Sequence, residues 1–153
     1  YKKLVENDIQ IIWQTGENFK ELDHVTNNQD VKTYKFINDM GLAYSASDLI
    51  VSRAGATAIS EILYLGKPSI LIPYPHAANN HQDKNADVLA EELAAIKINQ
   101  NNFNSDSLES EIIKFSKSKE RCESFSNNAK NLSICNSSQK IKQKLEELIS
   151  NAR

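Results

Sequence analysis

The stretch SRAGATAISE, residues Ser52 to Glu61, combines residue types that suit the binding of a phosphorylated ligand. It follows an apolar run, places Gly55 at the seam between a strand and a helix, and starts the helix with small residues. The first amides of such a helix lack intrahelical partners, and its positive dipole end attracts anions. Gly55, Ala56 and Thr57 are therefore candidates for a phosphate or diphosphate site, although a glycine at such a turn can also serve packing alone.

Two charged residues of the same stretch admit two interpretations each. Glu61 lies on an otherwise apolar helix, where it is either a solvated side chain or a carboxylate that accepts hydrogen bonds from ribose hydroxyls. Arg53 suits either a phosphate group or a neighbouring carboxylate such as Asp48. The spacing alone leaves these alternatives open.

A second candidate segment, PYPHAANNHQDKNA, covers residues Pro73 to Ala86 and is rich in neutral hydrogen-bonding side chains. Such a run suits a polyhydroxylated ligand, or it is a polar surface loop in which an asparagine caps the next helix. Its candidate ligand residues are His76, Asn80, His81 and Gln82, with Asn79 and Asn85 beside them. The two histidines lack both helical i, i+4 spacing and a clear carboxylate partner, so no metal site is expected.

The sequence contains no pattern typical of a nucleophile, and no pair of carboxylates can be placed on facing elements. The candidate residues are therefore expected to bind a ligand, and none of them is assigned a catalytic role.

The elements that must position these residues alternate along the chain. Short apolar runs predict strands over 9–14, 31–37, 48–52, 69–73 and 95–98, and the remaining patterns predict helices over 40–46, 56–65, 79–93, 105–116, 119–129 and 137–150, with a short helical connection over 18–24. This alternation is typical of an α/β, Rossmann-like domain, in which helices cover both faces of a parallel sheet. Ligands of such sheets bind outside the carboxyl ends of the strands, where both candidate segments begin.

Two of the predicted helices carry apolar faces. The expected faces are Ala86, Leu89, Ala90 and Leu93 in the helix over 79–93, and Ile141, Leu145, Leu148 and Ile149 in the last helix.

Composition narrows the class of protein. The 153 residues suffice for one domain, and a hydrophobic content of 40%, a charged content of 25% and a net charge of −2 are ordinary for a globular protein. This charge does not favour nucleic acid or an anionic membrane surface as a partner. The chain shows neither a membrane span nor a signal peptide, and Cys122 and Cys135 are best explained as incidental thiols, so a cytoplasmic location is expected.

The residues from Phe36 to Ile98 closely resemble a known family. The stretches FINDM, SRAGATAISE, GKPSILIPYPHA and NHQDKNA, in this order and at this spacing, are similar to the C-terminal domain of the MurG family, and the rest of the chain also fits it. The resemblance implies the C-terminal half of a GT-B glycosyltransferase. Such an enzyme is an inverting hexosyltransferase that moves N-acetylglucosamine from UDP-GlcNAc to lipid I, forming lipid II for peptidoglycan at the cytoplasmic face of the bacterial inner membrane.

The resemblance also implies roles for individual residues. Ile37 would contact the uracil through its backbone, and Glu61 would hold the ribose hydroxyls. The start of the helix at Gly55, Ala56 and Thr57 would face the diphosphate. Asn80, His81 and Gln82 would lie at the donor sugar, whereas the roles of Arg53 and His76 are left open, and Asn79 stands where the family often has an aspartate.

The resemblance further implies a single UDP-sugar-binding domain over 1–153, truncated at its N-terminal side, with a helical tail from about 105 to 153. The family's acceptor domain with its proposed base is not matched, and neither is the first donor-domain strand with its Gly-Ser loop. Lipid I and membrane contact would therefore be partners of the full-length protein only, no cofactor is expected, and the fragment alone would be inactive. Another UDP-sugar transferase of the same fold, or a non-catalytic nucleotide-sugar-binding module, are the alternatives.

Overall fold

The computed structural model describes residues 1–17, 28–134 and 136–151. The helices are α1 (Lys2–Val5), α2 (Met40–Ala46), α3 (Ala56–Leu65), α4 (His81–Glu91), α5 (Ser105–Ser116), α6 (Lys119–Leu132) and α7 (Ser137–Asn151). The strands are β1 (Ile11–Gln14), β2 (Val31–Tyr34), β3 (Ile50–Ser52), β4 (Ser69–Leu71) and β5 (Ala95–Lys97). Short 3-10 turns cover Ala78–Asn80 and Gln100–Asn102.

All strand pairs of the described chain are parallel, as the short apolar runs predict. The strands form two groups: β1 pairs with β2, and β3, β4 and β5 form a three-stranded sheet with β4 in its centre. No hydrogen-bonded ladder joins the two groups within the described residues. The fold class is therefore the predicted α/β, Rossmann-like one, but its sheet is divided between β1 and β3.

The core lies on both faces of the three-stranded sheet. Ile70 and Leu71 are neighbours on β4 and point to opposite faces, and both are fully buried. Ile70 packs with Phe115 of α5 and Phe125 of α6, whose rings make an edge-to-face contact with centroids 5.1 Å apart. Leu71 belongs to a second cluster formed with α3, α4 and the later part of α6. This two-sided burial confirms that helices cover both faces.

Helix ends follow local chemistry. The side chain of Asp39 accepts a hydrogen bond from the Leu42 amide at 2.8 Å and caps α2 at its predicted start. Gly66 ends α3 in the left-handed conformation with φ of 62°, and Pro68 follows it. The bounds of α2, α3 and α5 are those predicted from the sequence.

Some expectations are corrected by the structure. The strand predicted over 31–37 ends at Tyr34, and the helix predicted from residue 79 or 80 to Leu93 covers only His81–Glu91. Leu93, predicted on a buried face, is 59% exposed, because the chain leaves the helix there with a φ of 52°. The short helix α1 was not predicted, and the predicted connection over 18–24 lies outside the described residues.

The apolar stripe of the last helix is present but uncovered. Ile141, Leu145, Leu148 and Ile149 are all more than half exposed in the structure. The stripe therefore contributes no core to the part of the chain that the structure describes.

Candidate functional site

The turn between β3 and α3 presents the open start of a helix, as the sequence predicts. Gly55 occupies the N-cap position with extended backbone, and no side chain caps the helix. The first hydrogen bond of the helix runs from the Ile59 amide to the Gly55 carbonyl. The amides of Ala56 and Thr57 come before it in the chain, so they have no partner within the helix. A Cβ at Gly55 would meet no heavy atom within 4 Å, which shows open space beside the turn.

Glu61 continues the exposed face of α3 from this turn. Thr57 and Glu61 are one turn apart and both exposed, whereas Ile59 and Ile62 are buried on the opposite face. Among the described residues, Glu61 has no hydrogen-bond or ion-pair partner. The pKa of the Tyr44 phenol is raised, mainly by its own burial and secondly by the negative charge of Glu61. The Glu61 carboxylate therefore lies near α2, which contains Tyr44.

Arg53 binds protein groups that neither sequence interpretation anticipated. Its Nη1 donates to the carbonyl oxygens of Ile72 at 3.1 Å and Pro73 at 3.3 Å, and to Oε1 of Gln100. The guanidinium carbon also lies 5.7 Å from the centroid of the Tyr74 ring. No ion pair joins Arg53 to Asp48 in the described chain, so the carboxylate alternative is wrong.

The segment after β4 is organised by hydrogen bonds from its own side chains. Oε1 of Gln82 accepts from the Tyr74 amide at 3.0 Å, and Nδ1 of His81 lies 2.7 Å from the carbonyl oxygen of Ala78. Because a carbonyl oxygen only accepts, Nδ1 is the donor in this contact, and Nε2 is the ring nitrogen left for a ligand. The polar groups of this segment are thus held in defined orientations.

Both asparagines that precede α4 have left-handed backbone. Asn79 and Asn80 each have a φ of 53°, a conformation that asparagine tolerates better than most residues. Asn80 occupies the predicted N-cap position of α4, but its side chain makes no capping bond. His76 is exposed and meets the Tyr74 ring edge-to-face, with centroids 5.6 Å apart.

Two residues join the two candidate segments. Nδ2 of Asn85 donates to the carbonyl oxygen of Ala54 at 3.1 Å, and Arg53 donates to the carbonyl oxygen of Pro73 and lies over the Tyr74 ring. The open start of α3 and the polar segment of residues 73–86 therefore lie side by side at the carboxyl ends of β3 and β4, as the topology rule requires.

Ile37 follows β2, in the two-stranded group formed by β1 and β2. Its amide donates to Oε1 of Gln14 at 3.0 Å, so its carbonyl is the backbone group still available to a ligand. Gln14 is the last residue of β1, and its contact with Ile37 was not predicted, since it joins residues 23 positions apart. Gln100 was likewise not predicted, whereas Tyr74 lies within the predicted candidate segment but was not singled out. Only the general expectation of clustering at strand ends could have indicated Gln100.

The site offers hydrogen-bond donors and acceptors, and the carboxylate of Glu61. Within the described ranges, no group of three or more His, Cys, Asp or Glu side chains is placed to hold a metal ion. No helix in that part of the chain combines the length and apolar character needed to cross a bilayer.

The candidate site as a whole can bind an anion at the start of α3 beside a polyhydroxylated group at residues 73–86.

The sequence of the chain is similar to that of known proteins. The model of the glycosyltransferase family 28 C-terminal domain matches residues 1–149. A UDP-N-acetylglucosamine--N-acetylmuramyl-(pentapeptide) pyrophosphoryl-undecaprenol N-acetylglucosamine transferase of Christiangramia forsetii is 35% identical over 150 residues, which cover 98% of this chain and 41% of the relative. A Porphyromonas gingivalis protein of the same name is 48% identical over 100 residues, covering 63% of the chain and 26% of that relative.

Solved structures share the fold. A crystal structure of Acinetobacter baumannii MurG superposes with a TM-score of 0.78 at 23% identity, covering 95% of this chain and 48% of that one. The glycotransferase of kitacinnamycin gives a TM-score of 0.68 at 20% identity, covering 86% of this chain and 34% of its own. The chain thus spans less than half the length of these relatives.

Proposed function

Since the chain belongs to the C-terminal domain family of glycosyltransferase family 28, we propose that it is the donor-binding domain of an N-acetylglucosaminyltransferase of peptidoglycan synthesis. The observation that carries this proposal is the contact between Asn85 and Ala54, which places the open start of α3 beside the polar segment after β4. A nucleotide sugar requires such a pairing, because its diphosphate and its sugar are covalently adjacent.

The diphosphate is assigned to the start of α3. The amides of Ala56 and Thr57 precede the helical ladder, and the space beside Gly55 is open. The positive end of the helix dipole favours a bound anion, and it favours the additional charge that develops on a departing UDP even more. This one feature therefore serves both donor binding and leaving-group stabilisation.

The ribose is assigned to Glu61 and the uracil to the backbone of Ile37. Glu61 is exposed, and no described residue occupies its carboxylate. Because it is exposed and has no described partner, this carboxylate can accept hydrogen bonds from two vicinal hydroxyls without breaking a contact inside the protein. Ile37 follows β2 by three residues, and its carbonyl is the backbone group left for a ligand, because its amide is bound to Gln14.

The donor sugar is assigned to the segment after β4. Gln82 and His81 each have one polar atom engaged with the protein, which fixes the orientation of the other. Asn80 and His76 are exposed in the same segment. Together these groups offer both donors and acceptors, as recognition of N-acetylglucosamine requires.

In the whole enzyme, N-acetylglucosamine would pass from UDP-GlcNAc to lipid I with inversion, forming lipid II at the cytoplasmic face of the membrane. The chain's own residues would bind and orient the donor and stabilise the UDP that leaves. None of the assigned residues is placed as a base for the acceptor hydroxyl, so we expect no lipid II formation by this chain alone. Detectable transfer by the isolated chain would contradict that expectation.

We also propose that the donor domain includes one more parallel strand, between β1 and β3. Support comes from the divided sheet, in which β1 and β3 each have an unpaired edge within the described chain. Ile12 and Val51 in the middle of these strands are 45% and 44% exposed, although both are apolar strand residues. A strand paired to both edges would make one six-stranded sheet and cover these side chains.

Calorimetric titration with UDP-GlcNAc, UDP-glucose and UDP tests the proposal. We expect UDP to bind, and UDP-GlcNAc to bind more tightly than UDP-glucose, because the segment after β4 contacts the sugar. Tighter binding of UDP-glucose would indicate another UDP-sugar transferase. Absence of UDP binding to the folded chain would refute the donor-domain assignment.

A further inference from the structure

Arg53 lies at the junction of three strand ends. It follows β3, and its Nη1 donates to the carbonyl oxygens of Ile72 and Pro73 directly after β4. The same nitrogen donates to Oε1 of Gln100, in the 3-10 turn that follows β5. One guanidinium nitrogen thus ties together the carboxyl ends of three neighbouring strands.

The segment that Arg53 holds in turn orients Gln82. The Tyr74 amide donates to Oε1 of Gln82 at 3.0 Å, and the Tyr74 ring lies against the Arg53 guanidinium. Because a backbone amide can only donate, the atom of Gln82 that faces it must be the carbonyl oxygen. The amino group of Gln82 is therefore directed away from Tyr74, and it can only donate.

We infer that Arg53 and Gln100 are positioning residues, which fix the Tyr74 segment so that Gln82 presents a pure hydrogen-bond donor to a hydroxyl oxygen of the donor sugar. This inference rests on the proposed function, in which Gln82 contacts the sugar. It assigns Arg53 a role that requires no contact with the ligand. It also predicts that the pair affects recognition of the sugar and leaves the diphosphate site unchanged.

The first test needs no ligand. Amide hydrogen exchange at Tyr74, followed by NMR, reports whether Gln82 still accepts its hydrogen bond. We expect Arg53→Met to reduce the protection of this amide about tenfold and Gln100→Ala about threefold, the range for loss of one hydrogen bond. Gln100→Glu keeps an acceptor for Arg53 and should restore the protection.

The matched control is Asn101→Ala, which alters an exposed residue of the same turn. It should leave the Tyr74 amide unchanged. The inference is overturned if the protection of the Tyr74 amide from exchange stays within about twofold of the wild type in both Gln100→Ala and Arg53→Met. So small a change is less than the loss of one hydrogen bond.

The second test separates positioning from general stability. We expect Gln100→Ala to weaken UDP-GlcNAc binding about threefold, the low end of the range for one hydrogen bond, and to leave UDP binding unchanged. In a Gln82→Ala background the same substitution should have no further effect, because its influence passes through Gln82. Equal weakening of both ligands, or an effect that persists without Gln82, would overturn the inference.

The two tests also distinguish the inference from the proposed function. If the wild-type chain does not prefer UDP-GlcNAc to UDP, the sugar assignment fails. The exchange result at Tyr74 would still decide whether Arg53 and Gln100 position Gln82.

Discussion

Replacement of Glu61 by alanine tests the ribose assignment most directly. Glu61 is exposed, and no described residue pairs with its carboxylate, so its removal should change the free energy of unfolding by less than about 0.5 kcal/mol. A hydrogen bond to a charged group contributes about 1.5–3 kcal/mol, which corresponds to roughly 10- to 150-fold in affinity. We therefore expect Glu61→Ala to lose UDP binding by at least tenfold, with its melting temperature preserved.

Calorimetry with UDP and 2′-deoxy-UDP measures the contact with the ribose itself. The wild-type chain should prefer UDP, since the carboxylate accepts a hydrogen bond from the 2′-hydroxyl, whereas Glu61→Ala should bind both nucleotides alike. Glu61→Gln should fall between them, because an amide oxygen still accepts but carries no charge. Glu120→Ala, at an exposed position of α6, is the matched control and should behave as the wild type.

Two results would refute the reasoning. One is a loss of UDP affinity below about twofold, which is smaller than a single neutral hydrogen bond provides. The other is a preference for UDP over 2′-deoxy-UDP that survives the removal of the carboxylate. Either result would assign the ribose to another group and leave Glu61 as a solvated side chain.

Two further predictions concern stability. Gly66→Ala should lower the free energy of unfolding by about 1 kcal/mol in urea, because Gly66 has a φ of 62° and a Cβ there would displace the flexible side chain of Lys130. Lys97 lies between Asp83 and Asp87, with Nζ at 2.8 Å and 2.6 Å from their oxygens. Burial lowers the pKa of Lys97, but the two carboxylates more than offset it, and the pKa is raised above 10.5. The stability that Lys97 contributes is therefore complete below pH 10.5, and it declines as the pH rises through the pKa of Lys97 in the folded protein. The urea concentration at the midpoint of unfolding, measured from pH 8 to 12, should decline more in the wild type than in Lys97→Met.

Each of these has a control on the same chain. Gly41→Ala lies within α2, and the added Cβ would meet only the Asp39 side chain at an ordinary 3.5 Å, so the protein should not lose stability. Lys142→Met alters a lysine of α7 that is 75% exposed and should leave the pH dependence unchanged. A Gly66→Ala protein as stable as the wild type, or a pH dependence unaffected by Lys97→Met, would contradict the respective argument.

Local signals determined which elements the sequence could predict. Helix α3 was placed correctly at both ends, because Gly55 and Gly66 mark them and the apolar spacing lies between. Leu93 was misplaced because its apolar character continues the helical pattern, while the backbone already turns to a positive φ. The end of β2 at Tyr34 was also missed, since alternation in the sequence does not reveal where a neighbouring strand stops pairing.

The candidate site was predicted as a set of residues but not as a network. Clustering at strand ends follows from parallel topology alone, and the structure joins the two segments there. The partners of Arg53 could not be predicted, because Gln100 is 47 residues away and was not recognised as a site residue. Side-chain amides of this kind carry no periodic signal, and only the three-dimensional arrangement of the strand ends brings them together.

The polar groups of the site divide into those used by the protein and those left for a ligand. Nη1 of Arg53, Oε1 of Gln82 and Nδ1 of His81 are engaged internally, whereas the first amides of α3 and the Glu61 carboxylate have no intrahelical or ion-pair partner in the described chain. The engaged atoms fix the positions of the available ones, so binding of a ligand carries little further entropic cost for ordering these side chains. Substitutions can separate the two sets where they belong to different residues, as with the engaged Arg53 and the available Glu61. Loss of an available group should weaken binding without affecting the fold, and loss of an engaged group should alter which ligand is preferred.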